Sequence, residues 1–472
     1  PKLLVQPNPP PPVKKTKKQI TPHRLLRLAS ATAACTSAAA SPGASARRAR
    51  LGDLLTPEQR IAAVGPLDRP IAGLAADARH VVAGSIFFDV TPAGAARSGL
   101  DEAVARGAVA VVGSCRPRVA LGRGLTVVQV LDPLRALAGV ARRFFRHPEA
   151  ALRLHAVEGD HGKTTVAHLL RGLLGAPAEL GLLSSVQHDL GSRVLPAAIP
   201  GPLEFHALLA QMRDAGCSGA VIELPAGHAE MGWMADVPWA SRLDLRLAAA
   251  EGAAPRPAPG GNLSFAWAGG VFAAPLPHRL RGVGAYVELA VRAALARSVA
   301  PELIAERLRE LPPVPGRGEP VAVPGGFDVW VDAADRPERL AYTLRLVRGI
   351  TSGRVALVLG CPGECDPSPR PWITRTAEQG ADLVVLTAGD SRGEPLERIL
   401  RDMLQGAVVP GAIRCVPDRR TAVAVALAWA RPGDAVVIAG RGAEAFQRIE
   451  NVAVPCDDRR LVRDWVDGRF GR

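Results

Sequence analysis

Lysine is almost missing from this 472-residue chain beyond its first 52 residues, where Lys163 is the one lysine beside 47 arginines. No run of 18 uninterrupted apolar residues occurs either. A membrane-spanning helix needs about 20 apolar residues in succession, so we predict no such span. The apolar share of 48% and the length instead predict a globular protein of two or three domains, each with its own core.

Acidic residues are missing before Asp53, whereas residues 1–52 contain ten lysines and arginines. The formal net charge of +13 is therefore concentrated in this segment, and a nearly neutral body argues against a nucleic-acid-binding protein. The segment also has a proline run and a stretch rich in Ala, Ser and Arg, which predict a disordered basic tail. A solvated extension, an organellar transit peptide and an arm that docks on an acidic protein partner all agree with this composition.

The seven cysteines show neither a paired framework nor a C-x-x-C spacing. Cys361 and Cys365 lie four positions apart in a loop rich in glycine and proline, without a nearby histidine. We therefore predict no disulfide scaffold, no metal site at this pair and a reducing compartment.

Short apolar, β-rich runs alternate with longer helical stretches along the chain. Buried parallel strands have this continuous apolar character, so the alternation predicts an α/β fold. The predicted strands are residues 108–113, 125–131, 152–158, 220–224, 355–360, 382–387 and 434–440.

Three domains are predicted behind the tail. An amino-terminal α/β domain covers residues 53–150, and a central domain covers 151–316 and ends in a link rich in proline and glycine. A carboxy-terminal domain covers 317–472. A second stretch rich in proline and glycine, 253–261, interrupts the central domain.

Residues 158–165, Glu-Gly-Asp-His-Gly-Lys-Thr-Thr, stand between a predicted strand and a predicted helix over 166–174. Such a turn directs backbone N–H groups and the positive end of the helix toward one point, which suits a phosphate group. Lys163 adds a charge for the β- and γ-phosphates of a nucleotide, and a threonine hydroxyl can hold Mg²⁺. The spacing is shorter than the usual phosphate-loop consensus, so the strand-loop-helix setting supports much of the prediction.

The scarcity of lysine strengthens this assignment. Arginine is the general cation of the chain, yet Lys163 provides a compact ammonium for which a planar guanidinium is a poor substitute. Asp160 weakens the prediction of a phosphate site, because a carboxylate within the loop repels phosphate unless His161 or another cation offsets its charge.

The loop resembles that of the Mur ligases, G-T-N-G-K-T-T, and Gly159, Gly162, Lys163, Thr164 and Thr165 occupy matching places. The resemblance covers nearly all of residues 70–472 in order. It is strongest to the MurE type, which adds the third residue of the peptidoglycan stem peptide. Further matching segments are 77–79, 82–88 and 102–108 before the loop, and 315–317, 331–337, 360–363, 370–371, 438–444 and 457–459 after it.

This resemblance implies the three-domain Mur ligase architecture, with a phosphate-loop central domain and a Rossmann-like carboxy-terminal domain. It also implies an ATP- and Mg²⁺-dependent reaction in peptidoglycan synthesis. In that reaction a carboxylate of UDP-N-acetylmuramoyl-dipeptide is phosphorylated and an amino acid then attacks it. The family implies a cytoplasmic location, and the composition of the tail leaves the plastid stroma as an alternative.

The resemblance assigns roles to single residues as well. Lys163, Glu223 and His228 take catalytic positions, Thr164 and Glu223 hold the metal, and Asp332 contacts the nucleotide. Residues 389–392 stand where enzymes that use diaminopimelate have D-N-P-R, which grips the incoming amino acid. The implied substrate-binding residues are Arg79 at the uridine end and Arg370, Asp390, Arg392, Gly442 and Glu444 at the amino acid.

Several groups of the family's reaction centre are missing. Pro200-Gly201-Pro202 replaces the T-T-P motif, no asparagine stands at 278–284 to contact adenine, and several dozen residues are deleted after Leu247. The carbamylated lysine that steadies a metal in the family is also absent, because the body has no second lysine. Both chemical steps pass through concentrated negative charge, so these losses predict weakened or lost catalysis. The alternative is a non-catalytic scaffold that kept the Mur fold within a larger assembly.

Overall fold

The computed structural model describes residues 49–91, 99–114, 124–176, 178–196, 200–224, 232–246 and 262–468. The chain divides into two compact units, one of residues 1–141 with 200–204 and one of 142–199 with 205–472. Residues 1–48 of the predicted tail and the stretch 253–261 lie outside the described residues. The three predicted domains stay a prediction.

The first unit contains one sheet. Its strands are β1 Ala62–Val64, β2 Gly73–Ala75, β3 Ser85–Asp89, β4 Ala110–Gly113 and β5 Thr126–Gln129. They lie in the order β1-β5-β4-β3-β2, and all pairs are parallel except β1 with β5. The α-helices that begin within residues 49–141 are α1 Leu51–Leu54, α2 Leu100–Ala105 and α3 Pro133–Phe144.

The second unit begins with a sheet of six described strands. These are β6 Arg153–Glu158, β7 Leu180–Leu183, β8 Gln187–Asp189, β9 Val194–Pro196, β10 Gly219–Glu223 and β11 Trp239–Asp244. The order is β11-β6-β10-β7-β8-β9, in which the first four strands are parallel and the last two are antiparallel additions. A separate hairpin joins β12 Asn262–Trp267 to β13 Gly270–Pro275.

Helices cover this sheet and bury its apolar side chains. They are α4 Lys163–Leu174, α5 Pro202–Asp214, α6 His278–Arg281, α7 Gly284–Leu295 and α8 Pro301–Glu310. Leu169, Leu170 and Leu173 of α4 pack in one core with Val287 and Val291 of α7. This core fixes the helix that follows the phosphate loop.

A second six-stranded sheet fills the carboxy-terminal part of the same unit. Its strands are β14 Glu319–Pro320, β15 Asp328–Val331, β16 Val355–Leu359, β17 Leu383–Leu386, β18 Ile413–Cys415 and β19 Ala435–Ala439. They lie in the order β14-β15-β19-β16-β17-β18, parallel except for β14. The remaining elements are α9 Pro337–Ile350, α10 Pro369–Gly380, α11 Leu396–Leu404, α12 Arg419–Trp429, the hairpin β20 Phe446–Ile449 with β21 Val452–Pro455, and α13 Asp458–Val466.

The α/β prediction is confirmed, and each predicted strand coincides with an observed one to within a few residues. Every residue of β16 and β19 is buried, as expected for parallel strands covered on both faces. The predicted helix behind the glycine loop begins at Lys163, earlier than expected. Within the ranges given above, no helix combines the length and the apolar character that a membrane crossing requires.

Candidate functional site

The phosphate loop lies where the carboxyl ends of parallel strands meet. β6 leads into it, and β10 and β11 flank β6 on either side, so Glu223 lies beside the start of the loop. β7 pairs with β10, which places Ser185, two residues beyond β7, next to Glu223. Ligands of open α/β sheets bind outside the carboxyl ends of the strands, and this edge has that position.

Two glycines of the loop have backbone conformations that a side chain would strain. Gly159 has φ +133° and Gly162 has φ +77°. A Cβ atom on Gly162 would also lie 2.7 Å from Cδ1 of Tyr286. α4 begins directly at Lys163, and Gly162 precedes it without a side-chain cap, so the first N–H groups of the helix are available to an anion.

Lys163 is folded back onto its own loop. Its Nζ donates a hydrogen bond of 2.8 Å to the carbonyl oxygen of Gly159. Burial lowers the pKa of Lys163, and the positive charges of Arg339 and Arg246 lower it further, whereas Glu223 and Asp160 oppose them. The expected offset of the Asp160 charge by His161 or another cation stays a prediction.

A cluster of oxygen atoms stands beside the lysine. Thr164 Oγ1 donates to Glu223 Oε1 at 3.0 Å, and the backbone N–H of Ser185 donates to Glu223 Oε2 at 2.8 Å. The Ser185 hydroxyl lies 3.0 Å from Thr164 Oγ1. Mg²⁺ prefers oxygen ligands and is commonly held by one or two carboxylates together with phosphates and water. The donor set therefore suits Mg²⁺, although the described residues contain no group of three or more His, Cys, Asp or Glu side chains placed to hold a metal.

The opposite side of the site comes from the carboxy-terminal sheet. Asp332 follows β15 and accepts hydrogen bonds from the backbone N–H groups of Gly318 at 2.7 Å and Ala334 at 2.9 Å. The Thr343 hydroxyl adds a third bond of 3.1 Å. Burial raises the pKa of Asp332, while Arg317 and these donors act against the increase. The three bonds fix the carboxylate at the edge of the site.

These two sides enclose a cavity of about 520 Å³, which is within the usual range for ligand pockets. The lining includes Asp160 to Thr165, Ser185, Glu223, Leu245, Arg246, Gly282, Val283, Tyr286, Leu289, Arg317, Asp332, Ala333, Ala334, Glu338, Arg339, Tyr342, Thr343 and Arg345. The predicted nucleotide residues Gly162, Lys163, Thr164, Thr165 and Asp332 are thus brought together.

Arg370 lies in an internal ion network. Its side chain is 2% exposed and bonds Glu394 and Asp402 at 2.7 and 2.8 Å. The same guanidinium donates to the Pro362 carbonyl oxygen at 3.1 Å. The structure therefore assigns Arg370 to the internal support of the 360–363 loop, and its predicted contact with a substrate stays a prediction.

Asp390 forms a second charged cluster with Arg392 and Arg448, and Glu444 pairs separately with Arg441 at 3.6 Å. Asp390 Oδ2 lies 3.5 Å from Arg392 Nε and 3.4 Å from Arg448 Nε. Burial raises the pKa of Glu444, and the nearby Asp390 charge adds to this. The N–H of Gly442 donates to the carbonyl oxygen of Asp332 at 3.2 Å. The cluster therefore contains the negative charge of Asp390 and the positive charges of Arg392 and Arg448.

Two further predicted residues belong to the first unit or lie outside the described residues. Arg79 belongs to the first unit, where Nε and Nη2 bond Asp77 in an exposed pair. His228 lies outside the described residues. Their predicted roles stay predictions.

Ser185, Tyr286 and Tyr342 line the cavity as well, and the sequence did not predict them as site residues. Ser185 is one of two adjacent serines behind an apolar strand, which is a weak signal. The two tyrosines are the only ones in the chain, and that scarcity is a signal that could have identified them.

Comparisons with known proteins agree with this geometry. The model of the family described as "Mur ligase, glutamate ligase domain" matches residues 316–442. The UDP-N-acetylmuramoyl-L-alanyl-D-glutamate–2,6-diaminopimelate ligase of Geobacillus kaustophilus is 30% identical and matches over 84% of this chain and 95% of its own length. The ligase of the same name from Gloeobacter violaceus is 31% identical, with 86% and 96% covered.

Solved structures show the same fold. A ligase of that name matches with a TM-score of 0.55 at 22% identity and covers 90% of this chain and all of its own. A MurF ligase from Thermotoga maritima, solved in complex with ADP, matches with a TM-score of 0.51 at 15% identity over 84% of this chain and 97% of its own. The glycine loop at the edge of a parallel sheet and the α/β sheets define an α/β protein with the fold of the Mur ligases. The chain belongs to the Mur ligase family.

Proposed function

We propose that this chain binds ATP with Mg²⁺ in the cavity of the second unit and is a Mur-type amide ligase whose catalysis is weakened or lost. The observation that carries the proposal is the convergence of Lys163, Thr164 and Glu223 at one sheet edge, opposite Asp332. The ADP in the solved MurF structure of the same fold supports a nucleotide as the ligand.

Each side chain has a distinct task in this proposal. The loop N–H groups and the Lys163 ammonium hold the phosphates. Thr164, Glu223 and Ser185 hold Mg²⁺, which neutralises negative charge that develops on the phosphates. Asp332 presents a fixed acceptor, which suits a nucleotide hydroxyl. Binding of the triphosphate requires the lysine to leave the carbonyl oxygen of Gly159.

The proposed substrates follow from the names of the relatives, which act on UDP-N-acetylmuramoyl-L-alanyl-D-glutamate and 2,6-diaminopimelate. Arg392 is the proposed partner of the carboxylate of the amino acid, and Asp390 and Glu444 are the proposed partners of its ammonium groups, since guanidinium groups pair with carboxylates and acids pair with ammonium groups. Arg79 in the first unit is the proposed contact for the uridine end.

Weakened catalysis is proposed because charge-stabilising groups are few. Among the described residues, Glu223 is the one carboxylate that bonds Thr164 and Ser185 in the oxygen cluster, and the body offers no second lysine for carbamylation. The alignment to the Geobacillus relative is 472 positions long but uses only 84% of this chain, so several dozen positions of the relative have no counterpart. Removal of such stabilising groups typically slows a reaction by two or more orders of magnitude.

A phosphate-release assay tests the proposal. The full-length chain is incubated with ATP, Mg²⁺, UDP-N-acetylmuramoyl-L-alanyl-D-glutamate and a panel of amino acids that includes diaminopimelate. We expect slow release that depends on the amino acid and is lost in Glu223→Gln. ATP binding without any release would show that catalysis is lost. A protein that co-purifies stoichiometrically would then favour the scaffold, docked through the basic tail in the cytoplasm or the plastid stroma. Absence of ATP binding would refute the proposal.

A further inference from the structure

Two arginines from different elements line the cavity beside the phosphate loop. Arg246 follows β11, in which Asp244 pairs in parallel register with Glu158, the last residue of β6. The loop begins directly after Glu158, so the backbone at Arg246 lies level with the loop. The register of the two strands therefore places this arginine beside the loop, where it lines the cavity.

Arg339 comes to the loop from the carboxy-terminal part of the unit. It lies on α9 and lines the same cavity, and its Nε donates to Nδ1 of His161 in the loop at 3.4 Å. The positive charges of Arg246 and Arg339 both lower the pKa of Lys163, so both act on that ammonium. Because the loop lysine binds the β- and γ-phosphates, these cations lie at the terminal end of a bound triphosphate.

Both arginines pair with carboxylates that are near in sequence. Nε and Nη2 of Arg246 donate to Asp244 at 3.0 and 2.9 Å, and Nη1 of Arg339 donates to Asp335 at 3.1 Å. The two arginine side chains are 56% and 40% exposed. Exposed ion pairs stabilise a fold only weakly, so a polyphosphate can replace either carboxylate as the partner of the guanidinium.

The strand order separates Arg246 from the oxygen cluster. β10, which carries Glu223, and β11, which precedes Arg246, lie on opposite sides of β6. Phosphates in the loop therefore have Thr164 and Glu223 on one side and Arg246 on the other. A divalent cation at the oxygen cluster leaves part of the negative charge of a triphosphate unbalanced, and the arginines are placed to balance it.

Resting on the proposed nucleotide-binding function, we infer that Arg246 and Arg339 bind the γ-phosphate of ATP and stabilise it during transfer. In that step an oxygen of the substrate carboxylate bonds to the γ-phosphorus, the bond from phosphorus to the β,γ-bridging oxygen breaks, and ADP leaves with the electron pair. A guanidinium matches two phosphate oxygens with two parallel N–H groups, and arginines so placed stabilise a phosphoryl group in transfer. They supply positive charge that a metal held by a carbamylated lysine would otherwise supply, since the body has no second lysine.

Isothermal titration calorimetry with ATP and ADP, at fixed Mg²⁺ and ionic strength, tests this inference, because ADP lacks the γ-phosphate. A charge-assisted hydrogen bond gained in exchange for an exposed ion pair corresponds to about five-fold in affinity for each arginine. We therefore expect the parent chain to bind ATP about 20-fold or more tightly than ADP. Arg246→Gln and Arg339→Gln should each lower this preference about five-fold by weakening ATP binding, with ADP affinity kept within about three-fold.

Arg348→Gln is the matched control. Arg348 also lies on α9 and pairs with a carboxylate, that of Asp382, but it is not part of the cavity lining. The control should bind ATP and ADP as the parent chain does.

The outcomes separate this inference from the proposed function. Equal affinity of the parent chain for ATP and ADP would overturn the inference alone, and that comparison needs no variant. Equal weakening of ATP and ADP binding in Arg246→Gln and Arg339→Gln would also overturn it, because the loss would then come from the general charge of the site. A parent chain that binds neither nucleotide would overturn the proposed function.

Discussion

Replacement of Lys163 by alanine tests the central assignment. In the free protein the ammonium already donates to the carbonyl oxygen of Gly159 at 2.8 Å. Binding of ATP replaces this neutral acceptor with a charged phosphate oxygen. A hydrogen bond to a charged group contributes about 1.5–3 kcal/mol and a neutral one about 0.5–1.5 kcal/mol. The difference of about 1–2 kcal/mol corresponds to ATP affinity about 5–30-fold weaker in Lys163→Ala.

Isothermal titration calorimetry at fixed ionic strength measures this change. Arg348→Ala is the matched control, because Arg348 is a surface cation paired with Asp382 and is not part of the cavity lining. Because burial lowers the pKa of Lys163, affinity should fall as the pH rises, and this fall should begin below the ordinary range for lysine. Equal ATP affinity in Lys163→Ala and the parent chain would refute the reasoning.

Three further predictions concern the same unit. Glu223→Gln should remove most of the gain in ATP affinity that Mg²⁺ provides, measured by titration with and without the metal; an unchanged gain would exclude Glu223 as a ligand. Gly162→Ala should cost about 1–2 kcal/mol for its positive φ and displace the Tyr286 ring, which should appear as a lower melting temperature and weaker ATP binding. Arg370→Ala should lower the free energy of unfolding in urea by about 3–5 kcal/mol, because it removes the buried cation that pairs with both Glu394 and Asp402. The hydrogen bond from Arg370 lowers the pKa of Glu394 from 4.5 to about 2. The parent chain should therefore lose stability as the pH falls from about 4.5 toward 2, since the unfolded state binds the proton more readily there. This loss should be smaller in Arg370→Ala, in which only the Glu364 N–H and Arg398 still lower the pKa of Glu394, and an identical pH profile in both proteins would contradict the prediction.

Local patterns were sufficient to predict the strands and the loop. A short continuous apolar run such as 355–360, placed between helical stretches, predicts a parallel strand. Such a strand is buried on both faces and therefore buries every apolar side chain of the run. The glycines and the single lysine of 158–165 predicted a phosphate site for reasons of backbone geometry and charge that need no tertiary information.

Charged residues were the least predictable class. Arg370 has the same sequence signal as an exposed arginine, but the fold surrounds it with Glu394 and Asp402. Whether a guanidinium faces a ligand or an internal carboxylate depends on neighbours that are 24 and 32 positions away. The sequence around Arg370 does not show which of these two partners the guanidinium has.

The sequence by itself determined where a phosphate can bind, since the strand, the turn and the first helical residues are contiguous. Tertiary structure alone decided what surrounds that phosphate. The sheet order places Glu223 and Ser185 at the loop, and the packing of α7 near α9 joins Tyr286 to Tyr342. The physical reason is that backbone conformation is a local property, whereas the convergence of side chains depends on which strands and helices become neighbours.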